Sequence, residues 1–134
     1  MKAAGTGGAI VNIASVNALR YFGNPSYSAA KAGIISLTQS IASEYGPIGI
    51  RCNAICPGWI MTGMVDAAFA VARDPEKAKQ DALARHAAGR FGTPDDIARA
   101  AVWLASDDAA FATGQTFTID GGLTAASPLR PALF

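Results

Sequence analysis

The stretch SYSAAKAG, residues 26–33, decides the fold because it opens a helix that carries two chemically matched side chains. Apolar residues follow it at helical spacing, at Ile34, Leu37 and Ile41. Tyr27 and Lys31 are four residues apart, so they lie side by side on one helix face. An ammonium beside a phenol favours the ionised phenol, as general acid–base catalysis requires. On its own, a tyrosine four residues before a lysine is more often an ordinary first-turn aromatic residue beside a solvated lysine.

Two apolar runs flank this helix and predict buried strands. Residues 8–14 and 50–56 show little polar alternation, which is typical of parallel strands covered on both faces. The helix between them is predicted over residues 26–45, with Gly46-Pro47 as its stop signal. Strand, helix and strand at this spacing form a βαβ unit with a right-handed crossover.

The remainder of the chain adds one strand and three helices. The third strand is predicted over residues 115–119, and helices over about 64–73, 74–86 and 93–104. The last helix has a capping threonine, a first-turn proline and two acids, and should bury Ile97, Ala101 and Leu104. We therefore predict an α/β fold: a partial doubly wound, Rossmann-type parallel sheet of three strands with flanking helices. Residues 123–134 show no periodicity.

Composition narrows the functional class. The chain has 134 residues, of which 51% are hydrophobic and 16% charged, and its net charge is +1. This balance is typical of a globular domain and indicates neither a nucleic-acid nor an anionic-membrane partner. No apolar run approaches the roughly 18 residues of a membrane span. We expect a cytoplasmic protein.

Few residues of the sequence could bind a metal or form a disulfide. Cys52 and Cys56 fall on one predicted strand, about 13 Å apart at roughly 3.3 Å per residue. A disulfide needs Cα atoms within about 7 Å, so these two are expected to be buried thiols that do not pair. The single histidine, His86, is expected at the surface. No metal site is predicted.

Four pieces of sequence together resemble the short-chain dehydrogenase/reductase family. They are Ser15 at the end of the first apolar run, Tyr27-x-x-x-Lys31, PGWIMT at 57–62 and DGG at 120–122. They occur in the family's order and at its usual spacings, from about residue 7 to residue 123. The resemblance implies hydride transfer between NAD or NADP and an alcohol or carbonyl carbon.

The resemblance also implies roles for individual residues. Tyr27 is the general acid or base, Lys31 assists it and holds the nicotinamide ribose, and Ser15 donates a hydrogen bond to the substrate oxygen. The loop that meets the nicotinamide matches Pro57, Gly58, Ile60 and Thr62. In it, the backbone at Ile60 and the Thr62 hydroxyl would bind the carboxamide. Asn53 is expected to make structural bonds to backbone, and Asn12 has no assigned role.

The glycine-rich phosphate turn of a nucleotide-binding fold has no counterpart in this sequence. Glycines at 5–8 precede the first strand and open no helix. The resemblance begins at about the family's fifth strand, so we expect residues 1–134 to be the C-terminal half of a single NAD(P)-binding domain. The outer edge of the strand at 8–14 would then be unpaired within this chain.

Three functional hypotheses remain open from the sequence. The first is an NAD(P)-dependent oxidoreductase acting on a small-molecule alcohol or ketone, for which the family implies a homodimer or homotetramer. The second is a catalytically inactive fragment or a partner-binding remnant, and the third an unrelated βαβ binding domain. We expect the chain alone to turn over no alcohol or ketone. Fold does not determine the substrate.

Overall fold

The computed structural model describes residues 1–125. Most of the tail at residues 123–134, for which the sequence shows no periodicity, therefore lies outside the described residues. The strands and α-helices are β1 (Gly8–Ile13), α1 (Pro25–Tyr45), β2 (Ile50–Pro57), α2 (Gly63–Ala70), α3 (Pro75–Leu83), α4 (Pro94–Ala105) and β3 (Thr116–Ile119). Each element was expected from the sequence, and the bounds agree to within about three residues. Short 3₁₀ turns follow β1, α1 and α4.

The three strands form one parallel sheet in the order β1-β2-β3. Ile13 lies opposite Ile55, and Cys56 lies opposite Thr118. The predicted α/β class with three parallel strands is therefore confirmed. Because the strands run in one direction, their carboxyl ends share one edge of the sheet, the edge where open α/β sheets bind ligands.

The sheet packs against helices on both faces. On one face Ile55, Leu104 and Ala109 form the core, with Ile97 and Ala101 of α4 packed against them, as the sequence predicted. On the other face α1 lies across β1 and β2. The expectation for its apolar stripe is wrong at Leu37, which is 53% exposed, whereas the neighbouring Thr38 is fully buried.

Candidate active site

The N-terminus of α1 positions Tyr27. Asn24 adopts a left-handed backbone (φ 56°), and its side chain accepts a hydrogen bond from the Tyr27 N–H at 3.1 Å. Pro25 occupies the first helical turn, where its missing N–H costs nothing. This cap places Tyr27 in the first turn of the helix with 39% of its surface exposed, so its phenol is accessible to a reactant.

Lys31 links this turn to the sheet. Its Nζ donates to the carbonyl oxygen of Ile13 at 2.9 Å and lies 5.6 Å from the centre of the Tyr27 ring. Gly8 donates its N–H to the carbonyl of Gly49, just before β2, and Ala14 donates to Ile55 of β2. The N–H and C=O groups of the even-numbered residues therefore point toward β2, and the Ile13 carbonyl points to the outer edge of the sheet. The ammonium is thus held between the phenol-bearing helix and the last residue of β1.

Ser15 follows directly after β1 and its connecting residue Ala14. It is 8% exposed, and its Oγ accepts a hydrogen bond from the N–H of Asn17 at 3.2 Å, which caps the 3₁₀ turn at Val16–Ala18. The Asn17 amide in turn donates to the carbonyl of Gly23 at 3.3 Å. The Ser15 hydroxyl itself donates a long bond to Asn17 Oδ1 at 3.5 Å, so the loop from β1 to α1 is tied down from within.

The loop after β2 leaves a backbone donor and acceptor open. Gly92 donates to the Trp59 carbonyl and accepts from the Met61 N–H, both at 2.9 Å, in a parallel bridge opposite Ile60. In such a bridge the N–H and C=O of Ile60 point away from Gly92. Within residues 1–125 neither group has a hydrogen-bond partner. The Thr62 side chain, at the N-cap of α2, makes no capping bond either.

The turn after β3 supports this loop. Gly58 donates to the Ile119 carbonyl at 3.1 Å, and a Cβ at Gly58 would lie 2.8 Å from the Cα of Asp120. Asp120 accepts bonds from Gly122 and twice from Thr124. Burial raises the pKa of Asp120, but these bonds outweigh it and lower the pKa overall. The turn after β3 therefore carries the negative charge of Asp120 and packs against the PGWIMT loop at Gly58.

The structure corrects the expectation for His86, which is buried with 5% exposure rather than at the surface. Its Nδ1 donates to the Ala82 carbonyl at 2.9 Å, and its ring meets the edge of Phe91 at 5.3 Å. His86 lies in an alanine-rich stretch that also carries Arg85 and Arg90 and shows no clear apolar periodicity, and its aromatic partner Phe91 lies in the following loop. No local signal in the sequence could therefore have indicated this burial.

An aromatic chain anchors the segment that follows the PGWIMT loop. Trp59 stacks on Phe69 at 5.0 Å, and Phe69 contacts Phe91 at 5.9 Å. Phe69 is 8% exposed, whereas Met64 on the same helix is 79% exposed. Packing therefore accounts for Trp59 and Phe69, while Met64 presents an apolar side chain to solvent.

Both cysteines are free and fully buried, as expected. Burial raises the pKa of the Cys56 thiol, and the Ser15 backbone and the Lys31 charge partly offset this. Cys56 is the second-to-last residue of β2 and so lies near the carboxyl end of the sheet. Asn53 also behaves as expected, because its side chain donates to the Ala112 carbonyl and accepts from the Gln115 N–H.

Comparison with known proteins places this geometry in a family. A family model described as Enoyl-(Acyl carrier protein) reductase matches residues 1–124. An uncharacterized oxidoreductase of Schizosaccharomyces pombe is 46% identical over 96% of the chain, which covers 48% of that protein. The 3-oxoacyl-[acyl-carrier-protein] reductase FabG of Thermotoga maritima is 44% identical over 87% of the chain, which covers 45% of it. The chain belongs to the short-chain dehydrogenase/reductase family.

Solved structures of the family agree in fold. A short-chain dehydrogenase/reductase from Burkholderia xenovorans superimposes with a TM-score of 0.89 at 41% identity, over 95% of this chain and 49% of its own. A structure described as a 2-deoxy-d-gluconate 3-dehydrogenase from Agrobacterium tumefaciens, with bound NADP, gives 0.82 at 40% identity, over 92% and 49%. The chain spans about half the length of the relatives that it matches. Within residues 1–125 no helix is both long and apolar enough to cross a membrane.

Proposed function

We propose that the protein is an NAD(P)-dependent oxidoreductase that interconverts a small-molecule alcohol and its carbonyl compound, with Tyr27 as the general acid or base. The observation that carries the proposal is the placement of Lys31. Its ammonium lies beside the Tyr27 ring and is bonded to the Ile13 carbonyl, two residues before Ser15. The cation and the phenol are thus held together near the edge of the sheet where ligands bind.

The three side chains have distinct tasks in this proposal. Tyr27 donates its phenolic proton to the substrate oxygen during reduction and accepts it back during oxidation. The Ser15 hydroxyl donates a hydrogen bond to the same oxygen and orients it. Lys31 stabilises the negative charge that remains on the phenol. The nicotinamide, when bound, supplies or accepts the hydride.

The donor set after β2 fits a nicotinamide carboxamide, which offers both a carbonyl oxygen and an amide nitrogen. The Ile60 N–H can donate to the oxygen, while the Ile60 carbonyl and the Thr62 hydroxyl can accept from the nitrogen. Pro57 ends β2, and Gly58 gives a close approach between this loop and the turn after β3.

The test is nicotinamide-dependent turnover by the protein as it occurs in its source, assayed against a panel of ketones and alcohols. Tyr27→Phe should lower kcat by about 10²–10⁴-fold, the usual contribution of a general acid or base. The matched control is Tyr21→Phe, which removes the same hydroxyl from a tyrosine that is 71% exposed on the preceding loop. Equal rates for the two variants would refute the proposal.

A catalytically inactive, partner-binding product is the second candidate. One relative, 48% identical over 88% of the chain, carries the name inactive 2-(S)-hydroxypropyl-CoM dehydrogenase 2. In addition, Ile13 at the outer edge of β1 is 45% exposed, which suits pairing with another strand. If the wild-type protein and both tyrosine variants are equally inert with every compound, this second candidate is favoured.

A further inference from the structure

A buried polar contact joins α1 to β1 away from the reactive groups. The amide Nδ2 of Asn12 donates to the hydroxyl of Thr38 at 2.9 Å. That hydroxyl donates its own proton to the Ile34 carbonyl at 2.8 Å, so its oxygen acts as the acceptor for Asn12. Thr38 is fully buried, and the amide also approaches Cys52 Sγ at 3.5 Å. Each partner thus fixes the orientation of the other.

An apolar pair would be the ordinary choice between a helix and a sheet, because burying an amide and a hydroxyl gives little net stability. A hydrogen bond is directional, however, and requires donor–acceptor distances of about 2.7–3.2 Å. A single buried polar residue can therefore fix the register of two packed elements. The contact between Asn12 and Thr38 has this character.

The same contact determines where the reactive pair lies. Thr38 comes seven residues after Lys31, which is two helical turns or about 10.5 Å along one face of α1. Asn12 directly precedes Ile13, the residue whose carbonyl accepts from Lys31. The long lysine stem tolerates a wider range of helix positions than the short amide–hydroxyl contact, although its bond to the Ile13 carbonyl weakens as the helix moves. The register of α1 is therefore set at Thr38 rather than at Lys31.

We propose that Asn12 and Thr38 are positioning residues. Their hydrogen bond fixes the position of α1 along its axis relative to the sheet and so keeps Tyr27 and Lys31 beside Ser15. Their catalytic consequence rests on the proposed function, while the structural consequence does not. Removing the hydroxyl should let α1 shift, and a misplacement of about 1 Å can cost about a hundredfold in rate.

The kinetic test compares three variants of the protein as it occurs in its source. Thr38→Val keeps the shape but removes the hydroxyl, and should lower kcat about a hundredfold with little change in KM. Thr38→Ser restores the hydroxyl and should recover most of kcat. Ser40→Ala is the matched control, because Ser40 makes the same bond to the carbonyl four residues earlier, but on the exposed face. Wild-type kcat in Thr38→Val would refute the proposal.

A second readout separates this proposal from the proposed function. Acetylation of Lys31 by acetic anhydride, followed by mass spectrometry with Lys77 as internal reference, reports the contact between Lys31 and Ile13. Labelling of Lys31 should be severalfold faster in Thr38→Val than in the wild type or in Thr38→Ser. Ala42→Gly is the control, because it weakens the helix without removing the Thr38 hydroxyl, and it should label at the wild-type rate. Unchanged labelling in Thr38→Val refutes the positioning role, even if Tyr27→Phe shows that the proposed chemistry fails.

Discussion

At the scale of single residues, Thr62 offers the most direct test of whether the PGWIMT loop binds the nicotinamide. Its hydroxyl makes no hydrogen bond within residues 1–125, so a change there removes little from the fold. Thr62→Val should raise KM for the nicotinamide cofactor by about 3–10-fold, the value of one hydrogen bond, and leave the melting temperature unchanged. Steady-state kinetics at varied cofactor concentration measures this effect.

The control for that variant is Thr118→Val, which makes the same replacement at an exposed threonine of β3. It should leave KM for the cofactor unaltered. A KM in Thr62→Val equal to that of the control would mean that the Thr62 hydroxyl does not touch the carboxamide.

The positions of residues were predictable where they depend on local spacing and were missed where they depend on packing between segments. The Tyr27-x-x-x-Lys31 spacing placed both side chains correctly on one helix face. The burial of His86 and the contact between Asn12 and Thr38 were not predicted. Asn12 and Thr38 are 26 residues apart in the sequence. The His86 ring lies beside the turn after β3, where a Cβ added at Gly121 would come within 3.4 Å of His86 Cδ2.

At the scale of elements, the start of α4 is organised by one carboxylate. Asp96 accepts from the backbone N–H and the hydroxyl of Thr93 at 2.7 and 2.9 Å. Asp96 donates its own N–H back to Thr93 Oγ1 at 3.4 Å, which completes a capping box. It also pairs in bidentate fashion with Arg90. The Arg90 guanidinium, followed by the bonds from Thr93, holds the pKa of Asp96 far below its usual range. The ion pair fastens the preceding loop to the helix.

This depressed pKa gives a pH-dependent prediction. A carboxylate that is harder to protonate when folded stabilises the protein above its unfolded pKa of about 3.9, and that stability is lost as the pH falls below it. Asp96→Asn should lower the melting temperature at pH 7 and flatten the loss of stability below about pH 4. Asp95→Asn, at an exposed first-turn acid paired with Arg99, is the control and should change neither. Thermal melts from pH 2.5 to 7 test this prediction. If the melting temperatures of wild type and Asp96→Asn fall in parallel as the pH is lowered, this account is contradicted.

The positions of the elements could be predicted from the sequence because the residues that start and end them are local in the sequence. Gly46-Pro47 ends α1, and Thr93 with Pro94 begins α4, as the sequence indicated. The buried face of α1 was only partly predictable. Apolar spacing favoured Leu37, but the helix lies across two strands and turns Thr38 and Ala42 inward instead. That choice depends on the shape of the sheet, which the helix sequence does not contain.

At the scale of the whole molecule, the outer edge of β1 is an unpaired strand edge of the sheet within residues 1–125. The odd-numbered residues Ala9, Val11 and Ile13 point their N–H groups away from β2, and this strand has no lysine or proline to prevent pairing. We predict that a further strand covers this edge in the protein as it occurs in its source.

Amide hydrogen exchange tests that prediction. The N–H groups of Ala9 and Val11 should be protected to the same degree as those of Ile10 and Asn12, which face β2. Exchange at Ala9 and Val11 as fast as in the loop at residues 20–23 would mean that the edge is open to solvent.

The central claim is that Tyr27 transfers the proton that accompanies hydride transfer, and an isotope experiment tests it most directly. The protein from its source is given nicotinamide cofactor deuterated at the transferable position, together with the panel of carbonyl compounds, and product deuterium is measured by mass spectrometry. We predict deuterium at the new carbinol carbon with wild type and Tyr21→Phe, and at least a hundredfold slower incorporation with Tyr27→Phe. Incorporation at the same rate with Tyr27→Phe, or none with the wild-type protein for any compound, would contradict the account.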